Sequence, residues 1–244
     1  MILEICTFSI SDVEQALAAG ADRIELCASY VEGGITPSEG NIRAAFELVD
    51  PQHVVIMIRP RGGNFIYNDA EFEVMRRDID SAKQLGAQQV IFGILGTDGR
   101  LDKARNSALV EQARPMQCVL QRAFDLARDP FEALEDAIAC GFTRILTSGQ
   151  HPNAWDGREI IKQLIERSAG RIQILPGAGV NSRNADALIR YTGCDQIHTS
   201  AKRPFTEPAT VVSFRTGIYD NSHMTEVHPG EVSALKKITL EHSK

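Results

Sequence analysis

The sequence has no run of 18 apolar residues and no basic leader ahead of an apolar stretch, so neither a membrane-spanning helix nor a secretory signal is expected. Basic residues are outnumbered, 26 Lys and Arg against 32 Asp and Glu. The resulting net charge of −6 argues against a nucleic-acid or membrane-surface partner, whose footprints are basic. Five cysteines, Cys6, Cys27, Cys118, Cys140 and Cys194, are odd in number and lack zinc-type spacing, which speaks against a disulfide framework and a zinc finger. There is no GxGxxG after the first strand-like run, no Walker sequence and no Ser-His-Asp arrangement. The expectation is a soluble cytoplasmic protein with free thiols.

What is present is a repeat. A glycine, a small or apolar residue, two polar residues and a β-branched residue recur as "GADRI" (20–24), "GAQQV" (86–90), "GFTRI" (141–145) and "GCDQI" (193–197). Each copy reads as a helix ending at a C′ glycine, which tolerates the left-handed conformation, followed by a tight turn into a strand. The copies begin 66, 55 and 52 residues apart, room for two strand-helix units each, and every gap holds one more apolar run: 54–60, 119–124 and 172–176. With "LEIC" in front there are eight strands, expected to begin near residues 3, 23, 54, 89, 117, 144, 172 and 196. Helical stretches fall between them at 11–19, 37–48, 70–84, 102–112, 129–139, 153–167 and 182–191.

Strict alternation means βαβ crossovers and a parallel sheet. Eight units within 202 residues favour a closed (β/α)8 TIM barrel, an α/β fold for which about 250 residues in a single domain is ordinary. Residues 203–228, with Pro204, Pro208 and Gly217, break the alternation, and 229–242 reads as a final helix. The reading is therefore a barrel over 1–202 and a C-terminal extension over 203–244 packed on it within the same domain.

A barrel's chemistry sits at the C-terminal ends of its strands. Side chains two apart share a face, so Glu4 and Cys6, Glu25 and Cys27, and Arg59 and Arg61 are expected to look inward from strands 1, 2 and 3. Gln121 and Asp125 follow from strand 5, and His198, Ser200 and Lys202 from strand 8. Parity sends Arg122 outward, although its place at the strand's end keeps it among the ligand-binding candidates. Two arginines facing one mouth suit a small anionic ligand, with Glu4, Glu25, Asp125 and His198 as acid-base candidates. Gly177 and Gly179 in "LPGAGV", with Ser200, occupy the place where many barrels bind phosphate on backbone amides.

Six stretches, "ADRIELC" (21–27), "GGITPS" (33–38), "MIRPRGG" (57–63), "GFTRILTSG" (141–149), "PGAGV" (176–180) and "IHTSAK" (197–202), resemble the CutC family, named for copper homeostasis. The resemblance spans residues 2 to 202 and implies a cytoplasmic (β/α)8 barrel that binds copper as Cu(I), with Cys6 and Cys27 at the positions of the family's proposed ligands. One residue departs from the pattern. The family's strand-5 motif reads His-Arg-Ala-Phe-Asp, and here Gln121 stands first; glutamine hydrogen-bonds but serves neither as acid or base nor as a strong metal ligand. Three readings follow: copper handling through the thiols, an enzyme acting on a small anionic phosphate or carboxylate metabolite, and a barrel that mainly supports a homo-oligomer.

Overall fold

The structure is a computed structural model, which describes residues 1–205 and 225–243. Eight strands form one parallel sheet: β1 (Ile2–Thr7), β2 (Arg23–Leu26), β3 (Val54–Met57), β4 (Gln89–Phe92), β5 (Gln117–Leu120), β6 (Arg144–Thr147), β7 (Gln173–Pro176) and β8 (Gln196–Thr199). Their order, β7-β6-β5-β4-β3-β2-β1-β8, is that of a barrel, with β7 lying beside β8 to make it nearly closed. The helices between them are α1 (Ile10–Ala18), α2 (Glu39–Leu48), α3 (Asp69–Gln84), α4 (Lys103–Ala113), α5 (Pro130–Cys140), α6 (Arg158–Ser168) and α7 (Ala185–Thr192).

The repeated glycines do what their spacing implies. Gly141 caps α5 at φ +91° and Gly193 caps α7 at φ +71°, and each hands the chain directly to a strand. Gly20 and Gly86 share the conformation, at φ +103° and +92°. All four precede strands and so lie at the end of the barrel opposite the strand C-termini. The expected helix over 153–167 begins later, at Arg158, because Asn153 instead closes a turn by accepting from the Asp156 amide.

Past β8, β9 (Lys202–Pro204) pairs antiparallel with β10 (Thr225–Val227), which leads back to the barrel. The Val227 amide donates to Asp12 Oδ1 of α1 at 2.8 Å. The final helix, α8 (Pro229–Glu241), has proline at its first position and packs against α7, α1 and β1, where it stands as the eighth helix of the ring. Pro208, Gly217 and His223 lie outside the described residues. No helix among the described residues is long and apolar enough to cross a membrane.

Strand alternation divides the buried residues into two layers. Leu3, Ile5, Ile24, Leu26, Val54 and Ile56 face the helices, while Cys6, Cys27, Val55, Met57, Ile91, Val119, Leu146 and Leu175 fill the upper barrel interior. Below this second group the interior turns polar, and the site is built on that floor.

Candidate functional site

Register brings Glu4 of β1 beside Arg23 of β2 and His198 of β8. Arg23 Nε donates to Glu4 Oε2, His198 Nδ1 lies 2.8 Å from Glu4 Oε1, and Arg144 of β6 stands 3.8 Å away. Burial alone would raise the Glu4 carboxyl, but Arg23, helped by His198 and Arg144, outweighs it and holds the group well below the usual carboxylate range. Glu4 is thus a fixed anion under the site. Arg23 also donates to Gln196 Oε1 at 2.7 Å and Arg144 to Gln89 Oε1 at 2.9 Å, which completes a charged layer across the barrel floor.

Above that layer His198 points its other nitrogen, Nε2, at Glu25 Oε2, 3.6 Å away. Burial would lower the His198 pKa; Glu25 and Glu4 overcome it and the imidazole is raised from 6.5. Glu25 behaves opposite to Glu4: burial raises its pKa, His198 only partly offsets this, and Oε1 is buried without a hydrogen-bond partner. The two glutamates differ because Arg23 and Arg144 lie beneath one and not the other.

Cys6 and Cys27 complete this corner, with Sγ atoms 3.8 Å apart and one Glu25 oxygen close enough that all three ligand atoms lie within 4.8 Å of one another. A hydrogen bond to Cys27 and burial push the Cys6 thiol far up, and Glu25 adds to this. For Cys27 the hydrogen bond with Cys6 acts downward, yet burial, Glu25 and Glu4 push it up to about 11. Both sulfurs are protonated at neutral pH in the absence of a metal.

Arg59 and Arg61 part company. Arg59 is 5% exposed and lines the mouth, donating to Glu32 O (2.8 Å), Gly34 O (3.0 Å) and Gly63 O (2.7 Å) and stacking on Phe65, with no carboxylate partner among the described residues. Its Nε has no acceptor in hydrogen-bonding geometry, and the Tyr67 hydroxyl lies close enough to the guanidinium that Arg59 opposes the rise burial gives the phenol's pKa. Arg61 does not reach the mouth. β3 ends at Met57, so strand parity no longer governs residue 61, and its guanidinium turns to Glu71 of α3 at 2.5 Å and to the carbonyls of Asn64 and Ile66. It braces the loop between β3 and α3.

Arg122 corrects the parity argument in the other direction. A 3-10 turn over Arg122–Leu126 begins where β5 stops, and it swings Arg122 into the mouth, where Nε donates to Asp125 Oδ2 at 2.8 Å and Nη2 to Ser148 Oγ at 3.1 Å. Asp125 is a hub: besides Arg122 it accepts from Thr147 Oγ1 (2.5 Å) and from the amides of Ser148 (3.0 Å) and Gln150 (3.3 Å). Such saturation ties the turn to the loop after β6 and suits an anchor better than a proton carrier. Gln121 is buried at the mouth with Nε2 unpartnered.

The phosphate-type cradle is filled from within in part, and the amides of Ala178, Gly179, Val180 and Ser200, which line the wider lobe, make no hydrogen bond to the described residues. The Gly177 amide donates to Thr147 O, the Ser182 amide and hydroxyl donate to the Glu231 carboxylate of α8 at 2.5 and 2.9 Å, and the Ala201 amide donates to Thr199 Oγ1. Gly179 (φ +71°) and Ser200 do line the wider lobe of the mouth, about 700 Å³, while Gly177 lies beneath it. A Cβ on Gly177 would sit 3.1 Å from the His198 ring, so this glycine makes room for the histidine. Lys202 stands at the rim over the Tyr30 ring, its pKa lowered by burial. The sequence reading passed over Arg23, Arg144 and Glu231. The first two sit at the fourth place of "GADRI" and "GFTRI", where the repeat itself marked a polar residue entering a strand.

The CutC family profile matches residues 1–203. A family protein CutC from Parabacteroides distasonis is 45% identical over 201 residues, 82% of this chain and 83% of its own. The copper homeostasis protein cutC homolog of Homo sapiens is 43% identical over 201 residues, 82% of this chain and 73% of its own. Among solved structures, a crystal structure described as that of a putative copper homeostasis protein CutC from Streptococcus agalactiae superposes with a TM-score of 0.78 at 33% identity, over 82% of this chain and 98% of that one.

Proposed function

Because the chain belongs to the CutC family, we propose that it handles copper, with Cys6 and Cys27 binding one Cu(I) ion as cargo at the mouth of the barrel. The observation that carries this reading is the 3.8 Å separation of the two sulfurs. Two metal-sulfur bonds of about 2.3 Å span that distance without backbone movement, and thiolate sulfur is the donor a soft ion selects. Glu25 is a hard oxygen donor beside them and accounts for little of the affinity. All five cysteines are free, which supports a reducing, cytoplasmic setting. Anaerobic Cu(I) titration against a competing chelator tests the reading: one ion per chain is expected for the wild type, and equal affinity in a Cys6→Ser, Cys27→Ser variant would remove it.

A second reading, favoured by Arg59, is that the mouth binds a small organic anion and acts on it as an enzyme. A buried guanidinium held only by three carbonyls keeps its charge for a ligand. Glu25 then serves as the acid-base group and His198 as its partner, since Glu4 is held ionised by Arg23 and Asp125 is saturated. Thermal shift against a panel of carboxylates and phosphates tests it; no stabilisation by any anion would leave Arg59 a structural residue.

A further inference from the structure

Three buried side chains at the mouth carry polar atoms that the protein leaves unpartnered: Arg59 Nε, Gln121 Nε2 and Glu25 Oε1. The residues are 5%, 3% and 3% exposed, and all three line one cavity of about 480 Å³, a volume within the range of small-molecule sites. Orphaned buried polar groups are rare because each costs about 1–3 kcal/mol. Three on one cavity form a pattern of two donors and one carboxyl oxygen.

The unused part of Arg59 has a definite shape. A guanidinium carries five N–H groups. Both on Nη1 go to Glu32 O and Gly34 O, and one on Nη2 goes to Gly63 O. What remains is Nε–H and one Nη2–H, donors on the two nitrogens of the side-on edge that can meet carboxylate oxygens. Arg61 uses this same edge to grip Glu71, at 2.5 and 3.3 Å.

Phosphate is a poorer match. In other barrels the loops after β7 and β8 hold a phosphate on free amides, but here those loops line the wider lobe and not the cavity that Arg59, Gln121 and Glu25 share. The Glu231 carboxylate itself occupies the Ser182 donors and repels a second anion there. The remaining orphan, Glu25 Oε1, needs a donor when ionised, which a plain carboxylate does not offer. A hydroxyl both donates and accepts, so it satisfies a carboxyl oxygen in either protonation state.

We infer that the mouth binds a small hydroxycarboxylate, its carboxylate on the free donors of Arg59 and Gln121 and its hydroxyl on Glu25 Oε1. This rests on the anion reading of the mouth and narrows it to one ligand class. It also gives Gln121 a positive role as a neutral donor to a carboxylate.

Titration calorimetry of the full-length protein with four probes tests it: glycerate, lactate, propionate and inorganic phosphate. Lactate is propionate with one added hydroxyl, so that pair isolates the Glu25 contact. Lactate and glycerate are expected to bind about tenfold or more tighter than propionate and than phosphate, the size of effect a hydrogen bond to a charged group gives. Gln121→Leu, which removes a donor with no hydrogen bond inside the protein, should weaken lactate binding about tenfold and leave the fold intact, as far-ultraviolet circular dichroism would confirm. Arg59→Lys keeps the charge and loses the side-on edge, and should weaken lactate more than phosphate. If no probe binds, the anion reading itself fails. If propionate equals lactate, or phosphate binds as tightly, the anion reading stands and the hydroxycarboxylate inference is overturned. Unchanged lactate affinity in Gln121→Leu overturns the placement as well.

Discussion

His198 Nδ1 lies 2.8 Å from Glu4 Oε1, and this contact ties the last strand of the barrel to the first. Because Arg23 and Arg144 converge on the same carboxylate, Glu4→Gln leaves buried cations without their counter-charge. The expected cost is about 3–5 kcal/mol, with Tm falling about 2–4 °C per kcal/mol in a chain of this size. The pH profile has a definite sign. The Glu4 carboxyl is lowered on folding, so its contribution is present above its ordinary 4.5 and lost as pH falls. The His198 imidazole is raised, so its contribution is present below 6.5 and lost as pH rises through its folded value. Wild-type Tm should decline on both sides of that interval, and Glu4→Gln should lose the acid limb.

Glu25 makes the opposite prediction. Its carboxyl is raised by burial, so its ionisation opposes folding as pH climbs past 4.5. Glu25→Gln should therefore match or exceed wild-type Tm at neutral pH, the sign expected of a group kept for function at the expense of stability. A thermal melt of both glutamine variants in one buffer checks this, and a Glu25→Gln protein as unstable as Glu4→Gln would show that Glu25 is structural.

Gly177 tests whether His198 has room to spare. An added Cβ would approach Leu146 Cδ1 to 2.6 Å and the His198 ring to 3.1 Å. Gly177→Ala should cost about 1–3 kcal/mol through overpacking and shift the His198 ring resonances in an NMR spectrum. An unperturbed histidine would mean that β7 and β8 separate to absorb the methyl group.

Arg61 should behave as a loop brace. The Arg61 and Glu71 side chains are 36% and 23% exposed, so solvent screens their ion pair and it adds little to stability. Arg61→Ala is expected to lower Tm slightly and leave anion affinity at the mouth within about twofold. A large loss of affinity would place Arg61 back among the ligand-binding residues.

The contrast between these arginines shows how far residue order alone reaches. Strand starts were legible because the helix-to-strand glycines need positive φ, and that requirement leaves a mark at Gly20, Gly86, Gly141 and Gly193. Inward parity was legible for Glu4 and Cys6, and for Glu25 and Cys27, because these pairs lie on or directly at the end of a hydrogen-bonded strand. It fails at Arg61 and Arg122, where the ladder has ended and a loop or a 3-10 turn sets the direction. Arg23, Arg144 and Glu231 act through partners between 19 and 173 residues away, and no local pattern records such a pairing.

Copper binding, if it uses both sulfurs, must displace two protons. Cys27 is pushed from 9.0 up to about 11 and Cys6 is raised as well, so at neutral pH the free site holds two thiols. A metal ligand must be the thiolate, and each proton released makes affinity climb about tenfold per pH unit. Two protons give about a hundredfold per unit, a rise that should continue until pH approaches the thiol values. Removing one sulfur in Cys27→Ser should reduce the slope to about tenfold per unit. The measurement is a set of anaerobic Cu(I) competitions between about pH 6 and 9, with the chelator's own protonation corrected. Met57 packs in the same interior cluster and offers a thioether, which binds without losing a proton. A flat pH profile would therefore assign the ion to the Met57 thioether, and a slope of two protons to the paired cysteines.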